Sequence, residues 1–118
     1  MTQHDPTVSI GQMVDFGAKA LEIRGNRSRA ELELDELRML ALARTLEVMG
    51  EAARRLGPEF HANHPEIPWA GIIGLRNVLS HAYDRISSDL FWQILSKDLP
   101  ATLLKLQKIL RSLQSPKK

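Results

Sequence analysis

Polar side chains interrupt an apolar helical stretch between Arg76 and Tyr83, and their types are those of acid–base and phosphate chemistry. On an ideal helix Asn77 and His81 share one face, as do Arg76, Ser80 and Tyr83. Arg76 and His81 are five residues apart, or about 140° around the axis. They can converge on one small anion only if the helix ends between them or a second subunit closes the site. The spacing therefore makes a dimer plausible.

Metal-free RNA cleavage is the chemistry that this set supports. Histidine side chains ordinarily titrate near neutrality, so His81 is suited to take the proton of a ribose 2′-hydroxyl or to protonate the 5′-oxygen. Arg76 remains charged and stabilises the negative charge that grows on the phosphate. Asn77 can orient His81, and Tyr83 can donate to phosphate or stack on a base. A purely structural hydrogen-bond network between helices is the competing interpretation, and composition alone favours it.

Other catalytic classes lack their signatures. The sequence contains no cysteine, no glycine-rich phosphate loop followed by lysine, no His-Glu-x-x-His helix and no Gly-x-Ser-x-Gly turn. His61 and His64 lie near Glu66, but this segment is rich in proline and has no third ligand at helical spacing. We therefore predict no metal site there.

The composition is that of one globular domain, with 118 residues, 43% of them hydrophobic and 25% charged. The net charge is +2, yet residues 99–118 carry five basic residues and no acidic one, which leaves residues 1–98 at −3. A cationic last helical turn followed by a frayed tail is favoured over a dedicated RNA-binding patch. No leader or membrane-spanning segment is recognisable, so we expect a cytoplasmic protein.

Helical periodicity in the first half predicts two helices. The first runs from about Ile10 to Glu22 and ends near Gly25. The second begins at Arg29 or Asp35 and continues to Leu56, where Gly57-Pro58 stops it. Its buried stripe is predicted to be Leu42, Leu46, Met49, Ala53 and Leu56.

The second half is predicted to begin with an extended connection over residues 58–68 that contains at most one short turn. A third helix then covers Trp69 to about Ala82, with an apolar stripe of Ile72, Leu75, Leu79 and Ala82. The His64–Trp69 run is predicted to fix the entry of this helix, with Trp69 as a packing anchor.

A polar break is predicted at residues 84–88. A helix capped by Ser87 or Ser88 starts near Asp89, and the last helix starts at Leu99 with an apolar stripe of Leu99, Leu103, Leu106, Leu110 and Leu113. These elements predict an all-α, antiparallel four- to five-helix bundle forming a single domain, 1–118, with flexible ends at about 1–8 and 114–118.

The motif Arg76-x4-His81-x-Tyr83 resembles the signature of the HEPN superfamily, and more closely that of the HepT-like toxins. The likeness spans about residues 42–110, whereas the loop at 84–89 departs from the commonly shorter, glycine-containing family pattern. Three further segments carry it: Leu46–Leu56, His64–Asn77 and Lys97–Pro100.

The resemblance implies an all-α homodimer in which two motifs face an interfacial cleft. It implies a metal-independent endoribonuclease that cleaves cellular RNA, with Arg76 and His81 as catalytic residues. Asn77, Ser80 and Tyr83 would support them. Glu51 is a further supporting candidate that either pairs with Arg76 or, as helical spacing favours, forms a surface pair with Arg54 or Arg55.

The same resemblance implies a partner, a minimal nucleotidyltransferase antitoxin of the MntA type. That enzyme uses ATP to transfer AMP onto Tyr83, while the toxin itself needs no cofactor. Bulky anionic nucleotides beside Arg76 and His81 would occupy the phosphate site and repel RNA. Two alternatives remain open: a non-catalytic nucleotide- or RNA-binding or regulatory subunit of a nucleotidyltransferase, and a purely structural helical dimer.

Overall fold

The computed structural model describes residues 5–75 and 85–115, with backbone alone for 85–88, and every regular element in those ranges is helical. This confirms the all-α prediction. No helix within the described ranges is long and apolar enough to cross a membrane. The elements are α1 (Pro6–Arg24), α2 (Arg29–Glu33), α3 (Glu36–Arg55), α4 (Gly57–Asn63), α5 (Trp69–Ile73), α6 (Arg85–Gln93), a π-helical turn (Ile94–Asp98) and α7 (Leu99–Gln114).

The bundle is built on α1, which packs along both α3 and α7. Arg55 at the end of α3 donates to the side chain of Gln12 near the start of α1, at 3.0 Å, so these two helices run antiparallel. A side chain at Gly17 would lie 3.2 Å from Leu103 and 3.3 Å from Met49, which shows how closely the three helices approach.

The predicted apolar stripes form the core. All members of the α3 stripe are buried except Leu56, which packs against the core while partly exposed. In α7 the buried residues are Leu99, Thr102, Leu103, Leu106 and Ile109. Helical periodicity was sufficient to find this face because burial on one side of a helix recurs every three or four residues.

Capping residues set where the first helices begin. Asp5 accepts the Thr7 N–H at 2.9 Å and starts α1 at Pro6, so residues 6–8 are helical although the sequence assigned them to a flexible start. Of the two predicted starts of the second helix, the one at Asp35 is confirmed, because Leu34 and Asp35 separate the short helix α2 from α3. Ser28 and Glu31 form a capping box at α2, and Asp35 caps α3 by accepting the Arg38 N–H. The Ser28 N–H donates to Glu31 and lowers the pKa of that carboxyl.

Two predictions about connections were wrong. Residues 57–63 form α4 instead of an extended segment, because Pro58 occupies the first helical turn, where its missing N–H costs nothing. Gly57 does separate α3 from α4, with φ +84°. The second wrong prediction is the polar break at 84–88, since residues 85–88 belong to α6 (Arg85–Gln93). Ser87 and Ser88 therefore lie inside this helix and do not cap it.

The junction between α6 and α7 is continuous. A π-helical turn over Ile94–Asp98 leads directly into Leu99, and Asp98 makes no side-chain capping bond. The turn buries Leu95, and the Leu95 carbonyl accepts a bond from the Arg24 guanidinium at 3.3 Å. The predicted start at Leu99 is confirmed, with Pro100 in the first turn of α7.

Candidate functional site

The polar motif falls in the interval between α5 and α6. Its residues, Arg76, Asn77, Ser80, His81 and Tyr83, lie outside the described residues, as do Leu79 and Ala82 of the predicted third-helix stripe. The third helix begins at Trp69 as predicted, but α5 ends at Ile73 with Gly74 at its C-cap, so the predicted unbroken helix to about Ala82 is wrong at this point. Ile72 and Leu75 are buried as the stripe predicted. The described chain thus fixes the position of α5 and Leu75, directly before the motif in the sequence.

Trp69 anchors the start of α5. Its ring is buried, and its indole N–H donates to the His64 carbonyl at 2.8 Å. The His61 ring stacks on it at 4.6 Å, and the Phe60 ring approaches edge-on at 5.9 Å. This confirms the structural interpretation of the His-Pro-Glu-Ile-Pro-Trp run, in which Trp69 fixes the entry of the helix.

His61 ties this aromatic group to α3. Its Nε2 lies 2.7 Å from the Ala53 carbonyl, and because a carbonyl can only accept, Nε2 is the donor. His64 is engaged separately, with Nδ1 3.6 Å from the Glu66 carboxylate. The parts of the chain that the structure describes contain no group of three or more His, Cys, Asp or Glu arranged to hold a metal. Both histidines thus have structural contacts beside α5.

Gly50 sets the distance between α3 and α5. A Cβ built on Gly50 would lie 3.0 Å from the Ile72 carbonyl oxygen, closer than side chains normally approach backbone. Sequence reasoning gave this glycine no role. The available signal was a glycine inside a strong helical pattern, which usually marks a close approach of backbone. Because Gly50 has no side chain, α5 packs directly on α3 at Ile72, which lies four residues before Arg76 in the sequence.

Glu51 follows Gly50 on α3. Its carboxylate accepts from the Arg54 guanidinium at 2.8 Å. The surface pair at helical spacing is therefore confirmed with Arg54. A pairing with Arg76 concerns a residue outside the described ranges and stays a prediction.

A cavity of about 460 Å³ lies between α3, α5, the π-helical turn and α7. Leu75, the residue immediately before Arg76, forms part of its wall. Most of the lining is apolar, and Asp98 and Thr102 contribute the polar side chains. The lining residues are Leu46, Met49, Pro68, Gly71, Ile72, Gly74, Leu75, Leu90, Ile94, Asp98, Leu99 and Thr102.

Comparison with known protein families shows to which family this chain belongs. The family model described as ribonuclease HepT-like matches residues 13–109. This chain is a member of the HepT-like family. The match runs from α1 to α7 and includes the whole interval between α5 and α6, so the motif lies within the HepT-like domain.

Individual HepT-like relatives agree with this assignment. A Methanocaldococcus jannaschii protein provisionally named as an RNase is 29% identical over 100 residues, covering 85% of this chain and 92% of the relative. A second protein of that organism, also provisionally named as an RNase, is 31% identical, covering 68% and 66%. A probable ribonuclease HepT of Thermococcus cleftensis is 33% identical, covering 64% and 68%. No solved structure matches this chain significantly.

Proposed function

We propose that this protein is a metal-independent endoribonuclease that acts as the toxin of a type VII-like toxin–antitoxin pair. The supporting observation is the HepT-like match over residues 13–109, which spans Arg76, His81 and Tyr83. Relatives that carry ribonuclease names add to it. The packing of α5 on α3 through Gly50 and Trp69 supplies a rigid support for the residues that follow.

The proposed reaction is an internal displacement at phosphorus. His81 takes the proton of the ribose 2′-hydroxyl as the 2′-oxygen attacks the adjacent phosphorus. Arg76 stabilises the charge that accumulates on the non-bridging oxygens. The bond from phosphorus to the 5′-oxygen breaks, and that oxygen leaves with a proton taken up from solvent. The products are a 2′,3′-cyclic phosphate and a free 5′-hydroxyl.

A dimer is part of this proposal. Arg76 and His81 are five residues apart, so on one continuous helix they point about 140° away from each other. Two-fold symmetry brings the same surface of both protomers together, and Arg76 of one copy can then lie beside His81 of the other. The working enzyme is accordingly a homodimer with the site at its interface.

Cleavage without metal tests the activity. The purified protein is expected to cut RNA in excess EDTA, because neither the base nor the charge stabiliser is a metal ion. End-group analysis should find 2′,3′-cyclic phosphates and 5′-hydroxyls. RNA that is bound without being cut would overturn the proposal and favour the non-catalytic, regulatory alternative. A requirement for added Mg²⁺ would contradict the metal-free mechanism.

Neutralisation is proposed to occur on Tyr83. A minimal nucleotidyltransferase antitoxin of the MntA type would move AMP from ATP to the Tyr83 hydroxyl, releasing pyrophosphate. The intact mass of protein that is co-expressed with such a partner should rise by one or more AMP groups. A Tyr83→Phe variant should keep the unmodified mass under the same conditions. AMP addition to that variant would contradict the assignment of Tyr83.

A further inference from the structure

Helix α7 carries an exposed row of basic side chains with no acidic residue beside it in the helix. Lys105, Lys108 and Arg111 follow one another at intervals of three, and all three are exposed. Leu106 and Ile109, which alternate with these residues along the helix, are buried in the core. We call Lys105, Lys108 and Arg111 the basic row.

The basic row differs from the other cationic surfaces of the described residues. Each ion pair between an arginine and a carboxylate in those ranges involves a residue of α2 or α3. None of the described ion pairs includes a residue of α7. Lys105 does donate to the backbone carbonyl of Glu66 at 3.2 Å, but that acceptor is neutral. Among the described residues, these three positive charges therefore have no ion-pair partner.

A helix-dipole role does not account for the basic row. Cations stabilise a helix through its dipole only within about the last turn. Arg111 is the basic residue in the last turn of α7, whereas Lys105 and Lys108 lie in its middle. The interpretation that the sequence favoured therefore explains one of the three charges.

The position of the basic row connects it to the candidate site. The bond from Lys105 to the Glu66 carbonyl places α7 against the segment that enters α5, and Glu66 lies three residues before Trp69. Leu99 and Thr102, one to two turns earlier on α7, line the cavity that Leu75 also lines. The basic row therefore lies beside the segment that enters α5, and α7 shares a cavity wall with Leu75, the residue directly before the motif.

We propose that the basic row binds the phosphate backbone of single-stranded RNA outside the cleavage site. This inference rests on the proposed ribonuclease function. Six residues of helix separate Lys105 from Arg111, which is about 9 Å along the axis. Successive phosphates of one strand advance by about 3.4 Å along a duplex axis, so the basic row spans more than one phosphate. Its role is affinity for the polymer, without readout of sequence.

The test is the salt dependence of binding to an RNA that cannot be cut. A fluorescent 2′-O-methyl RNA of about 20 nucleotides lacks the attacking hydroxyl, so the wild-type protein can be used. The Lys105→Gln, Lys108→Gln, Arg111→Gln variant should raise Kd by roughly 10- to 100-fold near 0.1 M salt. It should also reduce the slope of log Kd against log salt by about 2.

A matched control removes the same charge from α2 and α3. The Arg29→Gln, Arg38→Gln, Arg44→Gln variant loses three exposed or partly exposed arginines, each of which forms an ion pair with a carboxylate: Glu33 and Asp89, Asp35, and Glu47, respectively. It should change Kd by no more than about twofold, because paired charges release few counterions. Equal losses in both variants, or wild-type affinity and slope in the basic-row variant, would overturn the proposal.

Two further measurements complete the test. If the triple variant unfolds in a thermal melt, Lys108→Gln alone should still lower the slope by about 0.7. The second measurement is competition by polyglutamate added at the same concentration of charges as the oligonucleotide. If polyglutamate displaces the oligonucleotide, the basic row binds acidic protein partners and the RNA proposal is overturned.

Cleavage assays separate this inference from the proposed function. A dinucleotide has one phosphodiester, the one that is cleaved, and so offers no further phosphate to the basic row. The basic-row variant should therefore cut it like wild type while showing a raised KM for long RNA. If this variant cuts long RNA with the wild-type KM, the RNA-binding role of the basic row is refuted, whereas the proposed ribonuclease activity is not contradicted. If the protein cuts no RNA but still binds the oligonucleotide through the basic row, only the proposed ribonuclease activity is refuted.

Discussion

The His81→Ala variant is expected to lose RNA cleavage by about 10²- to 10⁴-fold, the contribution typical of a positioned general base. Arg76→Ala should lose about 10²- to 10³-fold, because the charge on the phosphate then develops without its cation. Initial rates on a labelled RNA in EDTA measure both effects. Expression of either variant should also no longer inhibit growth of the host.

The matching control for these variants is Arg44→Ala, a change on the outer face of α3. Arg44 is exposed and pairs with Glu47 at 2.7 Å, so its removal should cost under about 1 kcal/mol of stability and leave cleavage unchanged. Thermal unfolding of all three variants shows whether the fold is retained. Cleavage by His81→Ala at the wild-type rate would eliminate His81 as the base. A loss of stability without loss of any activity would favour the structural-network interpretation.

Mixing the two inactive variants distinguishes a shared site from a site within one protomer. If Arg76 of one copy acts with His81 of the other, a mixed dimer of Arg76→Ala and His81→Ala contains one intact site out of two. Random reassembly should then restore about a quarter of wild-type activity. Sites within single protomers would restore none, since each protomer lacks one catalytic group.

The sequence predicted the elements whose formation depends on local periodicity. Leu42, Leu46 and Met49 of the α3 stripe are buried as expected. In the α7 stripe Leu110 and Leu113 pack against the core while partly exposed, whereas Leu99, Leu103 and Leu106 are buried. The same holds for Trp69, where proline before the helix and a large aromatic ring at its start both indicated an anchor. In each case the residues of a single helix are enough to predict which side chains are buried, so the positions of neighbouring helices are not needed.

The features that the sequence did not predict depend on contacts between elements. Residues 57–63 carry little apolar pattern, and α4 forms where Phe60 and His61 pack against Trp69 of the next element. The π-helical turn at Ile94–Asp98 joins two helices that the pattern placed apart. A glycine in a helical pattern can indicate a close approach, but the partner of Gly50 could not be predicted, since it depends on where the Ile72 carbonyl lies in space.

Gly50→Val is expected to weaken both the fold and the site. A Cβ at this position lies 3.0 Å from the Ile72 carbonyl oxygen, which is backbone and cannot rotate away. The added methyl groups should force α5 off α3, at a cost of about 1–3 kcal/mol in the free energy of unfolding. Urea titration measures that loss.

The functional consequence is larger than the loss of stability alone would give. Leu75 ends the described part of the segment that follows α5, so a shift of α5 moves the support of Arg76 and His81. Misplacement by about 1 Å can cost roughly 10²-fold in rate. Under conditions where the variant is fully folded, its cleavage rate should therefore still be reduced. Gly11→Val is the matched control, because nothing lies within 4 Å of a Cβ there. Equal behaviour of the two valine variants would show that the contact between α3 and α5 does not position the motif.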